Sequence, residues 1–169
     1  MGDQGHRLLL LTKGIRMKYA IYQIELSNAD INMINKGKPF LVPQYKKSVD
    51  LMLGGSKEYE PGDADWYSPV AVVEAENKGE VYEFLNLWNN DDAVTILPGR
   101  VGIKSLSVGD VIVENGRGKA YIVDRFGFAE IEFKPENEVV FNLMSGLPVV
   151  QPSNTPISCD PSSEIYWSM

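Results

Sequence analysis

The sequence predicts an α+β fold, a small antiparallel sheet or meander packed by three or four short helices. Three observations predict it. Leu106–Ile131 holds three short apolar runs separated by Gly, Asn and Asp. Lys18–Leu26 alternates and is rich in Tyr and Ile. Between these two stretches, apolar residues recur at helical spacing in segments that end on glycine. A small β-barrel with peripheral helices is the alternative, because the Val108-Gly109-Asp110 strand entry also suits a barrel.

Taken in order, Lys18–Leu26 places Tyr19, Ile21, Gln23 and Glu25 on one face and Ala20, Tyr22, Ile24 and Leu26 on the other, which is strand chemistry. Ser27-Asn28 offers an N-cap with Asp30 in the first turn, predicting a helix over about 28–36 that stops at Gly37. Pro43–Leu53, with Val49, Met52 and Leu53, predicts a second helix ended by Gly54-Gly55. Residues 54–69 read as a loop from their Gly and Pro content. Val70–Glu74 is a strand, and Asn77 caps a third helix over 78–89 with a Val81, Phe84, Leu85 and Trp88 stripe. Val94–Leu97 is another strand. Val111–Val113 and Ala120–Val123 form a hairpin around Asn115–Gly118, and Phe126–Ile131 follows, with Gly127 marking a bulge or close approach. Pro135 opens a last helix running to Met144, with Gly146 as its stop.

The domain is expected to span 17–146. Residues 1–16 are mixed and lack a period. The purine-rich codons that Lys13-Gly14 requires fall just ahead of the Met17 codon, where a bacterial ribosome-binding site belongs. This predicts Met17 as the start and 1–16 as a leader outside the fold; the alternative is a disordered arm. Residues 147–169, with Pro148, Pro152, Pro156 and Pro161 among serines, predict a flexible tail.

Composition narrows the function classes. The chain has 169 residues, 44% hydrophobic and 23% charged, enough for one domain with a core. The longest apolar run, Leu8–Leu11, is far too short to span a bilayer, so a soluble cytoplasmic protein is expected. The formal net charge is −7, and because residues 1–16 contribute +2, the remainder carries −9. Such a body repels phosphate backbones and anionic membranes, so neither nucleic acid nor membrane is an expected partner. The single histidine, His6, lies in the leader, and Cys159 is the single cysteine. No Ser-His or Cys-His system can be assembled from the domain, zinc loses its usual ligands, and no catalytic residue, metal or cofactor is assigned.

The remaining candidates concern ligand or partner binding. Asp110 and Asp124 bracket the hairpin and form either a carboxylate pair or two turn-stabilising groups, the second being the expectation. Arg125 follows Asp124. Phe126 and Phe128 share a strand face, which predicts core packing; if exposed, they are the best partner anchors. Asp63-Ala64-Asp65 resembles the start of a calcium loop but lacks its Gly and distal Glu, which predicts a solvated turn. Asn89–Asp92 reads as a polar loop. Gly99–Gly102 and Asn115–Lys119 set basic residues among glycines without P-loop spacing.

Two segments carry a family resemblance. Tyr19–Ile24 resembles the opening strand of the YodL-like domain family. Ser105–Val113, followed by Gly118–Tyr121, Val123-Asp124 and Phe126–Phe128, resembles that family's C-terminal signature. The resemblance implies a small accessory protein of bacteria, mobile elements or phages, and implies no activity and no catalytic residues. Together with the charge and the missing catalytic groups, it predicts a non-enzymatic protein-interaction module with a host or phage protein as partner, in the cytoplasm of a bacterial host. The alternative is a small-ligand or nucleotide binding protein or enzyme using the acidic and Gly-rich loop residues. Nucleic-acid mimicry is a third reading.

Overall fold

Alternation in Met17–Ile24 produces β1, the central strand of the sheet, whose two faces are both buried. The structure is a computed structural model and describes residues 14–87, 91–100 and 103–153. Residues 14–16 precede β1 as exposed, irregular chain. The rest of the predicted leader, with His6, lies outside the described residues, as do Trp88, Val101, Gly102, Cys159 and the tail from 154 onward.

Helix α1 (Asn28–Asn35) starts where the sequence places it. Ser27 accepts from the Asp30 backbone N–H, and the Asp30 carboxylate accepts from the Ser27 backbone N–H, a reciprocal cap. Helix α2 (Pro43–Gly54) begins on a proline and ends where Gly55 adopts φ +79°. Two short 3-10 turns (Gly55–Glu58 and Pro61–Trp66) fill the predicted loop. β2 (Tyr67–Ala75) is longer than predicted, and Pro69 sits beside an extra residue, Val70, where its pairing with β1 shifts register. A bulge is where a strand tolerates the missing N–H of proline. Helix α3 (Lys78–Asn86) is capped by Asn77 and ends before the predicted Asn89. The remaining strands of the sheet are β3 (Val94–Ile96), β4 (Val111–Glu114), β5 (Ala120–Val123) and β6 (Phe128–Ile131).

These six strands form one antiparallel sheet in the order β3-β2-β1-β4-β5-β6. The sheet is open, with β3 and β6 as its edges, so the barrel alternative does not hold. One face packs Tyr19, Ile21, Val73, Ile112 and Val123 against Val81, Phe84 and Leu85 of α3. The other packs Ala20, Tyr22, Val111 and Ile122 against Leu51 of α2 and against Tyr59, Trp66 and Phe133. Each fully buried aliphatic side chain contributes about 2 kcal/mol of transfer free energy.

The predicted last helix over 135–144 is instead β7 (Asn137–Phe141). It pairs with β8 (Pro148–Pro152), which lies in the segment read as tail. Val139, Val140 and Phe141 are poor helix formers that fit a pleated surface, and Val149-Val150 supplies a matching partner. The hairpin docks on the second face. Phe133 meets Tyr22 and Tyr67 edge-on at 5.0 and 5.5 Å between ring centroids, and the Val139 N–H donates to the Tyr22 hydroxyl at 3.2 Å. Among the described residues, no helix is long and apolar enough to cross a membrane.

Candidate functional site

Pairing of β4 with β5 brings Asp110, Asp124, Arg125 and Phe126 to one end of the sheet. The Gly109 N–H donates to the Val123 carbonyl at 2.9 Å, and the Val123 N–H to the Asp110 carbonyl at 2.8 Å. The C-terminal end of α2 and the last residues of β1 close in on the same end. The two carboxylates nevertheless go to separate partners and do not form a pair.

Asp110 faces inward. Its Oδ2 accepts from the Ser107 backbone N–H at 2.8 Å and from Gln23 Nε2 at 3.0 Å, while Oδ1 has no hydrogen-bond partner among the described residues. Gln23 is itself buried, at 2% exposure, and also donates to the Lys104 carbonyl. Burial pushes the Asp110 carboxyl up to about 6, against hydrogen bonds from Ser107 and Gln23 and the charge of Lys104, which pull it down. The turn is locked from beneath: the buried Tyr67 hydroxyl donates to the Gly109 carbonyl at 2.6 Å, and Gly109 holds φ +97° with Leu51 crowding the space a β-carbon would take. A cleft of about 190 Å³ opens beside Asp110, with Gln23, Lys104 and Ser107 as polar walls and Ile24, Leu51, Met52 and Val108 as apolar ones.

Asp124 faces α2. It accepts from the Ser56 N–H at 3.2 Å, from the Ser56 hydroxyl, and from the Arg125 N–H at 2.7 Å. The hydrogen bond from the Ser56 hydroxyl, then that from the Arg125 N–H, hold its carboxyl below the usual range. Arg125 Nη1 reaches the Leu53 carbonyl at 3.3 Å, tying the β5–β6 turn to the end of α2.

The predicted shared face of Phe126 and Phe128 is not formed. Gly127 takes φ +84° in the turn, and its carbonyl accepts from the Asp124 N–H at 2.9 Å, so β6 begins only at Phe128. Gly127 is therefore a turn residue and not a bulge. Phe128 packs on the core, whereas Phe126 is 97% exposed at the turn's apex. Leu53 (70% exposed) and Met52 (58%) stand at the adjoining end of α2.

The other sequence candidates resolve into structural roles. Asp63 is buried and paired with Lys47 at 3.0 Å, not solvated, while Asp65 is exposed. Arg100 pairs with Glu25. The glycines of 115–119 serve a hairpin turn, with Gly116 and Gly118 at φ +86° and +65°. Among the described residues, no group of three His, Cys, Asp or Glu side chains could hold a metal ion. Sequence reasoning missed Gln23 and Leu53. A lone amide at an inward position of an apolar strand was the available signal for Gln23; Leu53 carried none, because it shared the helical spacing of core residues. Compared with known proteins, the chain matches no family model, no curated sequence and no solved structure.

Proposed function

We propose that this chain is a non-enzymatic protein-interaction module that docks a partner through Phe126, with Leu53 and Met52 as the surrounding apolar contact. The observation that carries the reading is Phe126 itself: a 97% exposed aromatic side chain on a turn braced by Asp124, Gly127 and Arg125. Exposing a large aromatic group costs about 2 kcal/mol or more relative to burying it. Bracing the turn beforehand reduces the ordering cost at binding. Aromatic anchors of this kind dominate binding energy at interfaces. The formal net charge of −7 favours a partner with a basic rim, which speeds encounter at low salt. The resemblance of 105–128 to the YodL-like signature supports an accessory role for a phage or mobile element in the bacterial cytoplasm, with a host or phage protein as partner.

The test is comparative affinity capture from host lysate at low salt, with the full-length wild type and Phe126→Ser immobilised at equal density. The reading expects a protein enriched on the wild type and lost on the variant. Equal capture by both would remove its support.

A further inference from the structure

Lys104 and Asp110 line the same cleft, yet no ion pair joins them among the described residues. Lys104 Nζ instead rests 3.5 Å from the Ile24 carbonyl, and Asp110 leaves Oδ1 unpartnered. A carboxylate and an ammonium that face one cavity without pairing present two charges of opposite sign to whatever enters. The same cleft is lined by Ile24, Leu51, Met52 and Val108, which are apolar. The volume, about 190 Å³, suits a molecule the size of an amino acid and falls short of the space that a nucleotide needs.

The geometry points to a binding site for a free aliphatic α-amino acid, its ammonium on Asp110 Oδ1, its carboxylate on Lys104 Nζ and its side chain against Met52 and Val108. The Asp110 carboxyl, at about 6, is ionised at neutral pH, and it is half-buried at the edge of the cleft. A ligand ammonium there would add a charge-assisted hydrogen bond. Gln23 and the Ser107 N–H both engage Oδ2, which leaves Oδ1 free to accept from a ligand. This site does not depend on Phe126, which lies on the β5–β6 turn outside the cleft lining.

Isothermal titration of the full chain at pH 7.5 tests it, with L-leucine and L-methionine as ligands. Two half-molecules serve as controls: 4-methylpentanoate, which lacks the ammonium, and 3-methylbutylamine, which lacks the carboxylate. Binding of an amino acid is expected, with each half-molecule at least about tenfold weaker, as loss of one charge-assisted contact implies. Asp110→Asn is expected to bind L-leucine no better than wild type binds 4-methylpentanoate, and the exposed Lys104→Met no better than wild type binds the amine. Circular dichroism establishes that both variants are folded. Absence of binding by either amino acid, equal binding of the amine alone, or affinity unchanged in both folded variants would each overturn the proposal.

Discussion

The Asp124 carboxylate accepts hydrogen bonds from both the backbone N–H and the hydroxyl of Ser56, a residue 68 positions earlier in the chain. One side chain thereby fixes the first 3-10 turn after α2 to the β5–β6 turn. Asp124→Ala removes these bonds and is expected to cost about 1–2 kcal/mol by urea unfolding at pH 7. Because the folded-state carboxyl titrates below its ordinary value, this contribution is complete above the unfolded pKa, about 4, and is lost as pH falls through the lower folded value. The wild-type advantage should therefore shrink as pH falls below about 4.

Gly55 stands against the same carboxylate. A β-carbon there would collide with Asp124 Oδ1, and the backbone already lies at φ +79°. Gly55→Ala is expected to destabilise by about 1–3 kcal/mol, from left-handed strain and displacement of Asp124 together. In an Asp124→Ala background the penalty should fall, since the carboxylate that collides is gone. A double-mutant cycle by denaturant unfolding reads the difference.

Asp110 has the opposite sign. Its folded-state value, about 6, lies above the unfolded one, so the native state binds the extra proton between about pH 4 and 6. Stability therefore falls as pH rises through that window and stays lower above it. Asp110→Asn keeps an acceptor for the Ser107 N–H and removes the half-buried charge. It is expected to be more stable than wild type at pH 7.5 by roughly 1–3 kcal/mol and equal to it near pH 4, as measured by urea midpoints across pH.

Tyr67 donates its hydroxyl to the Gly109 carbonyl in the interior, where burial raises its pKa well beyond the ordinary tyrosine value. Tyr67→Phe retains the ring contacts with Phe133 and Tyr59 and loses only this bond. A loss of about 1–2 kcal/mol is expected in thermal or denaturant unfolding, because a buried carbonyl is left without that donor.

The parts of this fold that were legible in the sequence are those set by local pattern. The reciprocal cap at Ser27 and Asp30, the proline start and glycine stop of α2, and the glycine-punctuated hairpin 111–123 are written in adjacent residues. What was not legible depends on partners distant in sequence. Pro135 and the acids after it imitate a helix start, and only pairing of Val139-Val140 with Val149-Val150 makes the segment a strand. The sequence marks Asp110 as a turn residue, but its inward aim depends on Gln23, 87 positions away. Phe126 was expected in the core with Phe128; the positive φ of Gly127 between them delays the strand and turns Phe126 out to solvent. Asp63 looked like a loop acid because nothing near it announces Lys47.

The interaction account stands on the surface around Phe126, and site-specific photo-crosslinking reads that surface directly. A photoreactive benzoyl-phenylalanine replaces Phe126 in the full chain expressed in host cells, with the same probe at exposed Arg117 on the β4–β5 turn as a comparison. Neither substitution is expected to change stability by more than about 0.5 kcal/mol, since both side chains are exposed. The account predicts a discrete covalent adduct with a second protein from position 126 and none from 117. An adduct-free position 126 in folded protein that is crosslinked efficiently elsewhere would contradict it.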